Sequence, residues 1–299
     1  MEFGKVNDIS SIDFSLPPDA PFNRYYLSKA AAAHTSTSWY VGCPIWVQKE
    51  WVGRWYPPQT PSQKYLEYYS RQFNTIELNS THYALPASGT LQRWVEQSPE
   101  GFRFCPKVPQ SISHQLNGPF LKKEIEAFAA FCSALGNRLG TPFMQLPPGF
   151  STRDSSFLLR FLDLYPFDKL PLSIEFRHPS WFKYLSRTAD KLHSYGAGLV
   201  ITDVAGRRDV LHMGLSNHTA MIRFVGNDLH PTDYSRIDEW VERLAQWQAQ
   251  GVKQVFFFVH EPDNVQAPEL AAYLIHRLNQ RLKLKLKEPQ RFDTQQNLF

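Results

Sequence analysis

Short stretches of the chain either alternate polar and apolar side chains with a period of two, as in 75–79, 102–107 and 173–177, or form short apolar runs, and most are separated by segments whose apolar positions recur every three to four residues. Successive strand side chains point to opposite faces, whereas i, i+3, i+4 spacing marks one face of a helix. Strands are therefore expected at residues 39–43, 75–79, 102–107, 142–146, 197–203, 219–225 and 254–260, with one more opening the stretch 173–181. Helices are expected over 61–73, 90–97, 120–135, 156–164, 181–195, 235–250 and 268–281, with Gly196 placed to end the fifth of them. Eight strands alternating with helices predict an α/β fold, a single (β/α)8 TIM-type barrel. The rival, an open doubly wound sheet, lacks its usual G-x-G-x-x-G or P-loop. Residues 1–38 read as an arm packed on the barrel, 39–281 as the barrel, and 282–299 as a short, basic, solvated tail.

The stretch Ser173-Ile174-Glu175-Phe176-Arg177-His178-Pro179-Ser180-Trp181 carries charge where a buried strand should be apolar. Ser173, Glu175 and Arg177 share one face; Ile174 and Phe176 share the other. Thr75, Glu77 and Asn79 repeat that parity. Lys107, Gln145, Asp203, Arg223 and His260, on five other strands, lie on the face opposite a large apolar neighbour or at the strand's C-terminal end, so most strands deliver a polar group to one mouth. That mouth is the C-terminal face, where barrel enzymes place their chemistry. Buried charge is costly unless paired. A purely structural reading pairs Glu77 with Lys107 and Arg177 with Asp203, leaving Glu175 and Arg223 to complete a balanced set. A ligand site remains the stronger reading, because stability alone rarely requires charge at that mouth.

Composition narrows the class. With 42% apolar and 20% charged residues, the chain is neither disordered nor polytopic in a membrane. No apolar run reaches the ~18 residues of a membrane span. Residues 1–21 lack the basic start and apolar run of a signal peptide. Cys43, Cys105 and Cys132 are odd in number and form no C-x-x-C pair, which argues against disulfides and structural zinc and for a cytoplasmic setting. The net charge of +4 is mild for a protein that tracks a phosphate backbone.

Five segments together carry a family resemblance. They are Val41-Gly42-Cys43-Pro44-Ile45-Trp46, Asn74-Thr75-Ile76-Glu77-Leu78-Asn79-Ser80-Thr81-His82-Tyr83, Phe102-Arg103-Phe104-Cys105-Pro106-Lys107, Gln145-Leu146-Pro147-Pro148 and Glu175-Phe176-Arg177-His178-Pro179-Ser180-Trp181. From about Trp39 to Leu278 the chain resembles the YecE-like family, domain of unknown function 72. The resemblance implies a TIM-type barrel and no particular reaction. Two departures stand out: His260-Glu261-Pro262-Asp263-Asn264 replaces the Asn-Asn pair many members carry after the eighth strand, and Pro44 and Ile45 replace small residues.

Lys107, Arg177 and Arg223 converging on one mouth point to an anionic substrate, a phosphorylated small molecule among the candidates. The expectation is an enzyme of hydrolase or lyase type with Glu77, Glu175 and Lys107 as catalytic groups. Asn79, Tyr83, Gln145, Arg177, Trp181, Asp203, Arg223 and His260 would bind the substrate. Two alternatives are a glycosidase built on Glu77 and Glu175, and a nucleic-acid-binding barrel using Lys5, Arg24, Lys49, Arg54, Lys64 and Arg71. No cofactor is expected. A divalent metal on Glu77, Glu175, Asp203 and His260 is disfavoured by the interleaved bases and by the lack of an H-E-x-x-H motif. Cys43, His82 and His178 are read as packing or hydrogen-bonding residues.

Overall fold

The computed structural model describes residues 4, 6, 8–28 and 36–292. The expected strand stretches form parallel strands: β1 (Ser38–Cys43), β2 (Thr75–Leu78), β3 (Arg103–Pro106), β4 (Phe143–Gln145), β5 (Ser173–Glu175), β6 (Gly198–Asp203), β7 (Thr219–Val225) and β8 (Gln254–His260). They pair in the order β3-β2-β1-β8-β7-β6-β5-β4. Parallel bridges Phe104 to Leu139 and Lys107 to Phe143 join the two ends and close the ring. The fold is a (β/α)8 barrel.

Nine α-helices lie among the described residues: α1 (Asn23–Ser28), α2 (Tyr65–Gln72), α3 (Ser88–Gln97), α4 (Gln110–Ser113), α5 (Leu121–Ala134), α6 (Ser155–Leu164), α7 (Leu185–Tyr195), α8 (Pro231–Gln250) and α9 (Ala267–Leu282). Gly196 ends α7 in the left-handed conformation, as expected. Helix α8 starts one turn earlier than the apolar period suggests, because Pro231 presets its first position and the His230 ring accepts from the Thr232 amide.

Strand parity divides the interior in two. Ile76, Leu78, Phe104, Met144, Ile174, Phe176, Ile201, Ile222, Phe224 and Phe257 face the helices and join the main core. Cys105, Phe143, Val200, Met221, Phe256 and Phe258 pack together inside the ring, with Tyr40 stacked on Phe256 at 4.7 Å. Each of Cys105, Phe143, Met221 and Phe258 precedes a polar mouth residue by two positions. The lumen therefore has a dry floor under a polar layer, and any ligand enters from the C-terminal end only.

Between β1 and β2 the ladder is incomplete, and side chains finish it. Asn74 accepts from the Val41 amide and donates to the Trp39 carbonyl. The Tyr69 hydroxyl accepts from the Cys43 amide at 2.7 Å and donates to the Thr75 carbonyl at 2.9 Å. A Cβ on Gly42 would lie 2.0 Å from the Thr75 carbonyl oxygen, so only glycine fits this approach.

The strand-helix alternation of the barrel is broken once, between β6 and β7, where no helix was expected and residues 205–218 contain a short 3-10 segment. Helix α1 of the N-terminal arm packs into that gap. Tyr26 donates to Asp190 of α7 and lies on the His193 ring, while Trp247 of α8 donates to Asp19. Asn23, fully buried, donates to the Met213 carbonyl and accepts from the Leu215 amide. The arm thus supplies a piece of the helical layer.

The C-terminal segment also departs from the expected solvated tail. Leu284 and Leu286 pack on the main core while the alternate lysines face outward. Leu286 exchanges backbone bonds with the Asn279 side chain, and Gln290 does so with Gln72.

Asn23→Ala leaves the buried Leu215 amide without a partner and takes one of two donors from the Met213 carbonyl, which keeps the Ala20 amide. A drop of roughly 1–3 kcal/mol in unfolding free energy, the cost of an orphaned buried group, is expected from urea titration. An unchanged urea midpoint would show that the arm is not part of the cooperative unit.

Candidate functional site

The polar layer is organised by one side chain. Arg223 of β7, 1% exposed, extends across the lumen with Phe143 on one side of its guanidinium. Its Nε and Nη2 donate to the two oxygens of Glu77 at 2.9 and 2.8 Å, and Nη1 donates to Glu175 at 2.7 Å. Glu77 also accepts from Asn79 at 2.8 Å and from His260 Nε2 at 3.0 Å. An ionised carboxylate only accepts, so His260 carries its proton on Nε2. Glu175 accepts further bonds from Arg177 Nε and from the Gln145 amide at 2.8 and 2.9 Å.

These contacts set the charge states. Burial works against ionising Glu77 and Glu175, but Arg223 and its neighbours outweigh it. Glu77 lies well below the ordinary carboxylate range and Glu175 is lowered to about 2. Burial also opposes the Arg223 charge, and the two glutamates more than restore it. His260 is lowered, chiefly by burial, with Glu77 pulling the other way.

Lys107 is treated differently. It follows β3, and its backbone is held by the Leu78 carbonyl on one side and the Thr81 hydroxyl on the other. Its Nζ donates to Gln145 Oε1 at 2.8 Å. Burial, and then the Arg223 charge, lower its pKa to about 8.

Above this layer lies a cavity of about 950 Å³. Lys107, Gln145, Arg177, Arg223, Asn79 and His260 line its base, and Tyr83, 76% exposed, stands at its rim. Glu77 and Glu175 are in the layer beneath and do not line it. His82 does: its Nδ1 faces the Val108 carbonyl, and burial lowers it to about 4, so it is neutral at ordinary pH. Gly4, Val6 and Ile9 of the arm close part of the opening, and Gly4 accepts from the Gly206 amide.

One cavity residue escaped the sequence reading. Glu261, directly after β8, is 3% exposed and lines the cavity wall. Burial pushes its pKa up to about 7, with Asp233 adding to the push and the Asp228 amide opposing it. Asp228 and Leu229 both adopt positive φ, at 61° and 57°, which turns the Asp228 amide onto the Glu261 carboxylate at 2.8 Å. The only hint in the chain was the replacement of an amide pair by His260-Glu261.

Several expectations need correction. Asp203 has the opposite parity: it faces the helices, where Trp240 donates to it at 2.8 Å and Arg236 and Arg208 pair with it. The pairs of the purely structural reading, Arg177–Asp203 and Glu77–Lys107, are replaced by Arg177–Glu175 and Arg223–Glu77. Trp181 also lies outside the cavity; it packs on Phe176 with centroids 4.5 Å apart and donates to the Phe150 carbonyl. The space between Glu77 and Glu175 holds the Arg223 guanidinium, which leaves no room for a glycosidic bond between them. His178 caps a 3-10 turn by accepting from the Ser180 amide. The Cys43 thiol is buried and its pKa pushed up by burial, against reactivity. Among the described residues, no group of three or more His, Cys, Asp or Glu side chains is arranged to hold a metal ion. No described helix is long and apolar enough to cross a membrane.

Fold and site define a closed (β/α)8 barrel with a charged, recessed cavity at its C-terminal mouth. The chain belongs to the DUF72 family, described as proteins of unknown function, whose family model matches residues 40–295. It is 33% identical over 270 residues to the UPF0759 protein YecE of Escherichia coli K12, covering 83% of this chain and 94% of that protein. The UPF0759 protein YunF of Bacillus subtilis is 33% identical over 150 residues, 48% of this chain and 52% of that one. A DUF72 protein from Thermotoga maritima, 23% identical, superposes with a TM-score of 0.65 over 83% of this chain and all of that one. A DUF72 protein from Enterococcus faecalis, 19% identical, gives 0.65 over 84% of this chain and 98% of the other. Both structures share the barrel fold.

The raised pKa of Glu261 has a thermodynamic consequence. A carboxyl raised on folding contributes stability that is complete below its unfolded value of 4.5 and is lost as pH rises through about 7. Glu261→Gln removes that titration. The stability of the variant relative to the parent should therefore increase between about pH 5 and about pH 8, by on the order of 2 kcal/mol. Urea midpoints at the two pH values measure it, and a constant difference would contradict the assignment.

Proposed function

We propose that the protein is an enzyme acting on a small anionic substrate, phosphorylated or carboxylated, at the C-terminal mouth of the barrel by hydrolase- or lyase-type chemistry. The division of charge between the layers carries this reading. Glu77 and Glu175 spend their lone pairs on Arg223, Arg177, His260, Asn79 and Gln145, and neither lines the cavity. Lys107 and Arg177 do line it. Lys107, Arg177 and Arg223 meet at the cavity base, and the carboxylates that hold them there, Glu77 and Glu175, lie in the layer beneath. A guanidinium and an ammonium in such a site suit a phosphate or carboxylate group.

The recess favours a small molecule over a polymer. Lys107 and Arg177 are 8% and 9% exposed, whereas a surface that tracks a phosphodiester backbone offers its bases to solvent. In this reading Glu77 and Glu175 are positioning residues that hold the bases. Proton transfer falls to Lys107 and Glu261, two groups whose surroundings bring them toward neutrality from opposite directions.

Calorimetry with inorganic phosphate and a panel of small phosphate monoesters and carboxylates tests it. At least one anion is expected to bind, with Arg177→Met weakening it about ten-fold or more, as loss of a charged hydrogen bond does. Arg223 remains to neutralise Glu175 in that variant. Affinities that are the same in Arg177→Met, Lys107→Met and the parent would overturn the reading.

A further inference from the structure

We propose that Lys107 is a covalent nucleophile whose amine condenses with a carbonyl group of the substrate, so that the substrate is a small oxo acid or a phosphorylated aldehyde or ketone. The proposal rests on the anionic-substrate reading and adds the reacting group.

The geometry around Nζ is the argument. A buried lysine ordinarily pairs with a carboxylate, which holds its proton in place. Here the nearby carboxylates are engaged by Arg223, and Nζ donates instead to a neutral amide oxygen. That amide is aimed: Gln145 Nε2 donates to Glu175 Oε2 at 2.9 Å, so its oxygen must turn toward Lys107. An amide oxygen can accept from an ammonium or an amine N–H, so it holds Nζ in position through deprotonation, which it opposes far less than the full charge of a paired carboxylate would. The backbone is fixed on both sides, and Nζ stands at the end of a barrel strand with the side chain 8% exposed to the cavity.

Electrostatics supports the same role. Burial and the Arg223 charge lower Lys107 to about 8. About one molecule in ten then carries the free amine at pH 7, against fewer than about one in a thousand for an ordinary lysine. Lysines activated by desolvation and a neighbouring cation are the usual Schiff-base formers.

The step balances without an oxidant or reductant. The Nζ lone pair adds to the carbonyl carbon, and the C=O π pair moves to oxygen. A proton passes from nitrogen to that oxygen to give the carbinolamine. Protonation of the hydroxyl releases water as the nitrogen lone pair forms the C=N bond. The cationic imine withdraws electrons from the adjacent carbon, which suits proton abstraction or bond cleavage there. Arg177 is placed to hold the anionic end of the same molecule.

The experiment uses the full chain at about pH 7 with glyoxylate, pyruvate or dihydroxyacetone phosphate and sodium borohydride, which adds hydride to the imine and fixes the adduct. Peptide mass mapping then locates it. The expected result is an adduct at Lys107 at least about ten-fold above any other lysine, lost when the protein is unfolded in urea. Lys107→Arg should remove the adduct while keeping the far-ultraviolet circular dichroism and the urea midpoint of the folded parent. Labelling spread over surface lysines, or absent from Lys107 in the parent protein, overturns the Schiff base. If non-carbonyl anions still bind in that case, the anionic-substrate reading stands; if they do not, both fall.

Discussion

A single buried guanidinium holds two buried carboxylates, and the rest of the mouth depends on that arrangement. Arg223 donates three hydrogen bonds from a fixed, planar fork, which a lysine could not reproduce. Each carboxylate taken from water costs several kcal/mol unless paired and fully hydrogen-bonded. Glu77 and Glu175 meet that condition only through Arg223 together with His260, Asn79, Arg177 and Gln145. Each secondary partner is oriented by the carboxylate it serves. Gln145 is turned so that its oxygen faces Lys107, and His260 is fixed as the Nε2–H tautomer.

The strand parity that creates this layer was legible in the chain. Glu77, Lys107, Gln145, Glu175, Arg177, Arg223 and His260 all share the lumen, and at β2, β3 and β5 the alternation of polar with large apolar side chains says so directly. Asp203 misled for a physical reason. In Leu199-Val200-Ile201-Thr202-Asp203 each face carries apolar residues followed by a polar one, Asp203 on one face and Thr202 on the other, so polarity does not report direction. Its partners Arg236 and Trp240 belong to α8, where a charge and an indole look like ordinary helix-surface residues until a buried acid is found beneath them. Trp181 failed similarly: an aromatic beside a polar motif is equally suited to packing, and here Phe176 and Phe150 claim it.

Long-range contacts account for what the sequence could not show. Nothing in residues 23–28 says that they fill a helical gap between β6 and β7, since the signal is a helix missing elsewhere. Glu261 was hidden by local logic as well. Its raised pKa comes from burial and from Asp233, in a loop whose positive φ angles at Asp228 and Leu229 are not dictated by glycine.

Two charge systems therefore stand on opposite sides of one wall. Inside it, Arg223 binds Glu77 and Glu175. Outside, Arg236 binds Asp203 and lies on the Phe224 ring at 4.1 Å, one residue along the same strand. The outer system extends through Arg208, which pairs with Asp203 and donates to the Phe14 and Ser15 carbonyls of the arm. That arm continues to Gly4, Val6 and Ile9 at the cavity opening. The acid that was misassigned to the lumen thus has a connection to the site after all. It anchors, through Arg208, the segment that partly covers the cavity, so the shape of the opening depends on an ion pair that lies outside the cavity itself.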